Sequence, residues 1–276
     1  MLLRSFQTHP VPLVCRMTMS GWEIVGLVSS AAAAGVINAV AGGGTLLTFP
    51  TLLAFGTTPV IANATSTLAL VIGTSGGMFG NRQYIPAIRP WLRRFLPVSI
   101  LGGLIGSALL TGTSNQTFSR LVPFLILFAT LLFLAQGFFR SYAGAAQAGA
   151  AVEKPARVWG AIFFQFLVSM YGGYFGAGIG ILMLATLGFI GMGNIYEMNT
   201  LKTILGSLIN VTAALWFIGA GLIDWPRAGV MTVGAVTGYY LGSHYSQQIP
   251  QARVRQLITA IGFVISGWTF YQQFVK

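Results

Sequence analysis

Hydrophobic residues occur along this chain in long segments rather than in the mixed pattern of a soluble domain. Five such segments lie in each half. They cover about 22–40, 45–56, 60–80, 93–112 and 118–139 in the first half, and about 158–176, 180–191, 195–218, 227–246 and 254–275 in the second. Most reach the roughly 20 residues that a spanning helix needs. The pattern predicts an all-α polytopic membrane protein with roughly 8–10 transmembrane helices.

The second segment of each half is short and follows a glycine-rich break. The breaks read AGGGTLLTFP at 41–50 and GAGIGILMLA at 176–185. A dozen residues cover only about 18 Å as a helix. Each short segment is therefore either the returning half of a re-entrant hairpin or a steeply set short span, and the sequence leaves both alternatives open.

The two halves are related by a constant offset in residue number. Adding 136 carries Gly42, Gly44, Asn63 and Thr67 onto Gly178, Gly180, Asn199 and Thr203. The same offset carries Gly102, Gly106 and Ser107 onto Gly238, Gly242 and Ser243 without a gap. A broken segment at the matching place in each of two halves is typical of secondary transporters.

The number of crossings in each half predicts an inverted repeat. A half has five crossings if its first two segments both span the membrane, and three if they form a hairpin. Both numbers are odd, so the second half starts from the opposite face. We expect a tail at 1–20, a first repeat at 21–139, a linker at 140–157 and a second repeat at 158–276.

Composition supports the membrane assignment and excludes a soluble domain. The chain is 55% hydrophobic and 7% charged, against roughly 25% charged in soluble domains. Its formal charge of +11 comes from cations in short loops, so it indicates membrane topology rather than nucleic-acid binding. The single cysteine, Cys15, excludes an intramolecular disulfide and a cysteine-based metal site.

Loop cations predict the orientation in the membrane. One side carries Arg82, Arg89, Arg93, Arg94, Arg140, Lys154, Arg157, Arg253 and Arg255, and the other carries Arg4, Arg16, Arg120, Arg227 and Lys276. Because cytoplasmic loops are enriched in Lys and Arg, the first side is predicted to be cytoplasmic. A multi-pass protein of the inner (plasma) membrane with both termini outside is expected.

The breaks and the asparagine–threonine clusters after them resemble the sulfite exporter TauE/SafE family, also called the toluene sulfonate uptake permease family. The resemblance rests on AGGGTLLTFPTLLAFGTTPVIANATSTLAL and GAGIGILMLATLGFIGMGNIYEMNTLKTILGSLIN and covers about 22–275. It implies an inverted-repeat transporter of small, often sulfur-containing anions, and an export direction. The second break departs from the first by having Ile179 in place of the glycine at 43.

Glycines at the breaks are the first candidate binding residues. They are Gly42, Gly43 and Gly44 in the first half, and Gly178 and Gly180 in the second. A broken helix leaves backbone N–H groups unpaired and presents the positive end of a helix dipole, which favours an anionic ligand. The alternative is that the glycines merely allow helices to approach closely, the role assigned to Gly102, Gly103, Gly106, Gly238 and Gly242.

Polar side chains after each break are the second set of candidates: Asn63, Thr65, Ser66, Asn199 and Thr200. They could donate hydrogen bonds to sulfonate or carboxylate oxygens. Helix capping and interhelical hydrogen bonds are the alternative role.

Lys202 is the sharpest single candidate. It lies about eight residues, or roughly 12 Å, into its helix and so near the bilayer midplane. An ammonium there is expensive and marks a functional group, which predicts a fixed positive charge for an anion. Pairing with Glu197 and snorkelling to an interface are the alternatives. His244, near the end of its helix, is interpreted as interfacial rather than proton-coupling.

The combined prediction is a secondary transporter that exports small, sulfur-containing anions of the sulfite or sulfonate type by alternating access. A passive anion channel and an intramembrane enzyme are the alternatives; no HExxH motif supports catalysis. No enzyme activity, catalytic residue, metal or cofactor is expected. The expected partners are a small anionic substrate and the lipid bilayer but no nucleic acid, and small-residue helix faces permit a homodimer.

Overall fold

A computed structural model of the chain describes residues 19–40, 43–74, 84–145, 155–190, 192, 194–245 and 251–274. These residues form ten helices and their connections, and no strand occurs among them. The helices are α1 (Gly21–Val40), α2 (Thr45–Ala54), α3 (Pro59–Thr74), α4 (Ile85–Gly112), α5 (Asn115–Ala145), α6 (Pro155–Tyr174), α7 (Ile179–Phe189), α8 (Ile195–Gly219), α9 (Trp225–Tyr245) and α10 (Gln251–Phe274).

The ten predicted segments correspond one to one to these helices, which confirms the all-α prediction. Helix α4 begins at Ile85, well before the expected 93, with a proline in its first turn that suits a helix start. Its first turns carry arginines, so hydrophobicity did not mark them. Helix α5 continues to Ala145, into the stretch expected to be a linker. The expected tail at 1–20 lies outside the described residues except for its last two.

Four helices are long and apolar enough to cross a membrane by length and composition alone. These stretches are Gly21–Ala39, Ile85–Gly112, Asn115–Ala135 and Tyr196–Gly219, within the part of the chain that is described. Helices α2, α3 and α7 contain shorter apolar stretches. The count of 8–10 transmembrane helices stays a prediction.

The first two helices pack antiparallel as a hairpin. The Gly44 N–H donates to Asn38 Oδ1 over 2.8 Å near the tip, and the hydroxyls of Ser30 and Thr51 are 2.8 Å apart further down. The Phe55 ring packs over Gly26 near the open end. Of the two alternatives for the short segment, the contacts favour the hairpin.

Helices α6 and α7 form the corresponding hairpin in the second half. Ile179, at the start of α7, packs on Gly172 near the end of α6. Further from the tip, Met183 and Leu187 share a buried cluster with Val168. The two short helices therefore return along their predecessors in the same way.

The helix pairs that join the two halves correspond to each other under the offset of 136 residues. Helix α1 packs on α9, and its counterpart α6 packs on α4, the counterpart of α9. A Cβ added to Gly238 would overlap the Ala32 backbone carbonyl, and one added to Gly106 would overlap that of Met170. The close-approach role expected for the glycines at 102, 106, 238 and 242 is confirmed, whereas a Cβ added to Gly103 would make only ordinary contacts, the nearest at 3.5 Å from the Ile209 carbonyl oxygen.

One end of the helical body is tied together by Arg227. Its guanidinium lies 2.7 Å from Glu23 Oε1 and 3.0 Å from Asp224 Oδ2. It also donates to the Phe55 carbonyl and the Thr57 hydroxyl, each over 3.0 Å. The start of α1, the α2–α3 loop and the start of α9 thus meet here, and we call this the Arg227 end.

The opposite end is marked by Tyr84, just before α4, whose ring stacks on that of Tyr196 in the first turn of α8, with centroids 5.7 Å apart. We call it the Tyr84 end. Helix α10 finishes at the Arg227 end: the Ser119 hydroxyl, early in α5, donates to Gln273 Oε1 over 3.5 Å. The described chain therefore starts and finishes at the same end of the body.

Candidate functional site

A cavity of about 340 Å³ lies between the tips of the two hairpins. Helices α3 and α8 form its walls, with contributions from α5 and α9. It is lined by Asn38, Ala39, Gly43, Thr45, Thr67, Leu70, Thr74, Phe133, Phe175, Gly176, Gly178, Ile179, Gly180, Ile181, Asn199, Lys202, Thr203, Gly206, Ser207, Asn210 and Tyr239.

Both breaks reach the cavity because glycine allows sharp reversals of the backbone. Gly43 has φ +97° and Gly178 has φ +78°, a left-handed conformation that other residues rarely adopt. Gly178 directly precedes α7, and Gly43 lies two residues before α2; the first residues of these helices, Ile179 and Thr45, line the cavity. The positive ends of α2 and α7 therefore lie at its wall.

Lys202 supplies the charge in this cavity. Its Nζ donates to Asn199 Oδ1, one turn earlier on α8, over 3.2 Å. Its methylenes lie against Gly180, where an added Cβ would be 3.3 Å from Lys202 Cδ. Among the cavity-lining residues that the structure describes, Lys202 is the only lysine or arginine, and none is acidic. The electrostatics suit an anion.

Glu197 was considered as a structural ion-pair partner for Lys202. In the structure it accepts a hydrogen bond from Asn194. Asn194 Nδ2 donates to Glu197 Oε1 over 2.9 Å at the start of α8. Glu197 thus contributes to the first turn of its own helix. His244 lies exposed in the last turn of α9, with its ring centroid 4.9 Å from that of Tyr245.

The structure brings five of the predicted site residues together at the cavity: Gly43, Gly178, Gly180, Asn199 and Lys202. Gly42 lies outside the described residues. The remaining five do not line the cavity in this structure, and each has a different role.

Gly44, Ser66 and Thr200 make contacts within or between helices. The Gly44 N–H bonds the Asn38 side chain at the first hairpin tip. The Ser66 hydroxyl lies 2.6 Å from that of Thr48, which joins α3 to α2. The Thr200 hydroxyl donates to the Tyr196 carbonyl over 2.7 Å within α8. These are the helix-packing roles that were considered as alternatives.

Asn63 and Thr65 lie towards the Arg227 end. Asn63 Nδ2 donates to the Tyr174 carbonyl over 3.1 Å, and Thr65 Oγ1 accepts the Asp224 N–H over 3.1 Å. Asn63 lies on the same stripe of α3 as Thr67, with the tip of the second hairpin packed across it. Its donor group is therefore engaged by the protein in this conformation.

The sequence analysis did not single out several cavity residues, notably Asn38, Thr45, Thr74, Ser207, Asn210 and Tyr239. A signal for two of them exists in the sequence. Adding 136 carries Thr74 onto Asn210, just as it carries Thr67 onto Thr203. Polar residues therefore recur at matched positions one to two turns beyond the clusters that sequence reasoning singled out.

A comparison with protein families identifies the group to which this site belongs. The model described as sulfite exporter TauE/SafE matches residues 27–269. The chain belongs to the TauE/SafE family. Both hairpins, and every residue that lines the cavity between them, lie within the matched region except for the outermost turns of α1.

Curated relatives of this TauE/SafE protein are named as membrane transporters. A "probable membrane transporter protein" of Haemophilus influenzae is 28% identical over 90% of this chain and 93% of its own length. The "probable membrane transporter protein YfcA" of Escherichia coli is 26% identical over 86% of each chain. No solved structure shows a significant match. The protein is a multi-pass membrane transporter of the TauE/SafE family.

Proposed function

We propose that this transporter carries small sulfur-containing anions, of the sulfite or sulfonate type, through the cavity between the hairpin tips. The observation that carries the proposal is the ammonium of Lys202 in a cavity without an acidic side chain. Ionisable side chains within membrane proteins generally mark substrate or ion pathways. An anionic substrate would interact favourably with the ammonium of Lys202.

The remaining cavity wall suits a ligand with several oxygen atoms. Hydroxyls and amides converge there from both halves: Asn38, Thr45, Thr67, Thr203, Ser207 and Asn210. The positive ends of α2 and α7 add to the attraction for an oxyanion. The volume of about 340 Å³ lies at the small end of the range of roughly 300–1,000 Å³ for ligand sites. A compact anion fits these properties.

Alternating access would arise from two repeats of inverted topology moving about this cavity. Contacts close the Arg227 end: Asn63 bonds the Tyr174 carbonyl, and the rings of Phe49 and Phe175 are 5.5 Å apart. Asn199 and the end of α3 extend the cavity towards the Tyr84 end. Since Arg89, Arg93, Arg94 and Arg253 begin helices there, that end is assigned to the cytoplasm. In this proposal the conformation would be one that loads its substrate from the cytoplasm, as an exporter requires.

The test is thermal unfolding of the purified full-length protein with a panel of anions: sulfite, thiosulfate, sulfoacetate, taurine, lactate and acetate. A ligand at 100 times its dissociation constant stabilises by about 2.7 kcal/mol. We expect stabilisation by sulfur oxyanions in the wild type and its loss in Lys202→Ala. Lys202→Met, which keeps the methylenes on Gly180, should lose it too while retaining the unfolding temperature of the unliganded protein.

An unchanged anion response in both Lys202 variants would contradict the site. Saturable exchange of the stabilising anion in proteoliposomes would separate a transporter from a passive channel, for which flux would not depend on anion on the opposite side.

A further inference from the structure

The side-chain amide of Asn63 donates a hydrogen bond through its nitrogen, whereas its oxygen is buried. The residue is 1% exposed, and its Nδ2 donates to the Tyr174 carbonyl. Its Oδ1 is buried, and no residue in the described part of the chain is its hydrogen-bond partner. Buried carbonyl oxygens in folded proteins almost always have a partner, because an unmatched acceptor loses its hydration without compensation. The burial of Asn63 Oδ1 therefore suggests that this oxygen binds a ligand.

The surroundings of this oxygen favour a positive charge. Tyr174 is the last residue of α6, a helix of 20 residues, and a helix C-terminus carries a partial negative charge. Ser66 lies three positions after Asn63 on α3, so the two side chains are neighbours on the helix surface. The hydroxyls of Ser66 and Thr48 are both fully buried. The Asn63 amide thus contacts the negative end of α6, and the paired hydroxyls of Ser66 and Thr48 lie about one turn further along α3.

The second half of the chain shows what an equivalent oxygen binds. Asn199 is the counterpart of Asn63, and its Oδ1 accepts a hydrogen bond from the Lys202 ammonium. The counterpart of Lys202 is Ser66, which has no charge. The same amide oxygen therefore meets a cation in one half, whereas in the other half the chain provides none at that position.

We propose that Asn63 Oδ1 binds a small monovalent cation, Na⁺, with the hydroxyl oxygens of Ser66 and Thr48 as further ligands. A neutral oxygen set suits a monovalent ion, because divalent ions are held mainly by carboxylates. The described acids near this end, Glu23 and Asp224, both bind Arg227. In other transporter folds Na⁺ is held by unwound backbone carbonyls and by the C-terminal ends of half-helices, and here the C-terminal end of α6 lies against Asn63.

The position of this site would couple it to the anion cavity. Tyr174 holds Asn63, whereas Phe175 and Gly176, which follow directly, line the cavity. A cation on one side of the second hairpin tip would thus order the segment that an anion contacts on the other. The inference that this cation drives anion transport rests on the proposed function, whereas the binding of the cation does not.

Cation binding is tested by thermal unfolding of the purified full-length protein without any sulfur anion. Choline chloride is replaced stepwise by NaCl, LiCl or KCl, so that chloride and ionic strength stay constant. We expect the unfolding temperature to rise with Na⁺ and to saturate. Ser66→Ala should raise the Na⁺ concentration at half-maximal shift roughly tenfold, as for a lost ligand, and Asn63→Leu should abolish the shift.

Matched substitutions of other buried polar residues control for general destabilisation. Gln165→Leu removes a buried amide, and Ser99→Ala removes the buried hydroxyl that accepts from Gln165 Nε2 over 3.1 Å. Both should keep the Na⁺ response. Lys202→Ala should also keep it while losing the anion response, so that failure of one site is distinguishable from failure of the other.

Equal unfolding temperatures of the wild type in Na⁺ and choline would overturn the proposal. So would a Na⁺ shift that survives in both Asn63→Leu and Ser66→Ala at unchanged half-maximal concentration. If Asn63→Leu does not fold, the wild-type titration and Ser66→Ala decide the question by themselves.

Discussion

The position of the Lys202 ammonium depends on the absence of a side chain at Gly180. The lysine methylenes lie across this glycine in the first turn of α7, while the ammonium reaches back to Asn199 on its own helix. Gly180 is helical, so a side chain there would cause no backbone strain. The glycine is needed because of the close contact with Lys202, and this residue pair thus connects the second hairpin to α8.

Gly180→Ala should therefore change anion binding more than it changes stability. The added Cβ would lie 3.3 Å from Lys202 Cδ, so the flexible side chain must move by a few tenths of an ångström. We expect the dissociation constant for the stabilising anion to rise roughly three- to tenfold, or about 0.7–1.4 kcal/mol. The measurement is an anion titration monitored by thermal unfolding.

Gly206→Ala is the matched control, because this residue also lines the cavity. Its added Cβ would come no closer than 4.0 Å to any neighbour, which is Ile179 Cδ1. Anion affinity should stay within about twofold of the wild type, or about 0.4 kcal/mol. Equal effects of the two substitutions would contradict the role of Gly180 in placing the lysine.

At the scale of helices, the Arg227 end is closed by one side chain that bridges three elements. The guanidinium binds an acid from α1, an acid just before α9 and the carbonyl of Phe55 after α2. The side chains of Arg227 and Glu23 keep only 14% and 15% exposure. A charge pair this shielded is strongly destabilising to break by removing one partner.

Arg227→Met should lower the free energy of unfolding by about 2–3 kcal/mol, below the ~3–5 kcal/mol of fully buried pairs because some solvent reaches this one. Glu23 and Asp224 would be left without their shared cation. Thermal unfolding in detergent measures the loss. Arg120→Met removes an exposed arginine early in α5 and should change stability by less than about 0.5 kcal/mol. Comparable losses in the two variants would exclude a special role for Arg227.

At the scale of the whole molecule, both ends of the described chain meet at the Arg227 end. Helix α1 begins beside Arg227, and α10 finishes beside Ser119. Helices α4 and α10 begin at the Tyr84 end with exposed arginines at 89, 93, 94 and 253. The excess of cations at this end predicts that it faces the cytoplasm and that both termini are outside.

Reporter fusions test this orientation. Alkaline phosphatase, which is active only outside the cytoplasm, should be active when fused after Lys276, and green fluorescent protein at the same position should not fluoresce. Fusions within 146–154, between α5 and α6, should give the opposite pair of results. Fluorescence of the C-terminal fusion would show that the predicted orientation is wrong. The Tyr84 end, towards which the cavity extends, would then face away from the cytoplasm.

The sequence by itself determined the ten helices and the correspondence between the two halves, because apolar length and glycine positions can be read directly along the chain. The same features located both breaks but left open whether each short segment turns back as a hairpin. The offset of 136 connected corresponding glycines, which the structure places at equivalent helix contacts. The start of α4 was missed because its first turns carry arginines, and hydrophobicity does not mark a helix with a polar first turn.

Only the tertiary structure decided which polar side chains meet in the cavity. Asn63 and Asn199 have equivalent positions in the sequence, yet Asn199 lines the cavity with Lys202, whereas Asn63 is enclosed beside Tyr174. Ser66 and Thr65 likewise bond neighbouring elements. A helical pattern gives the face on which a residue lies, but packing of the second hairpin across α3 determines which turns of that face remain open to a ligand.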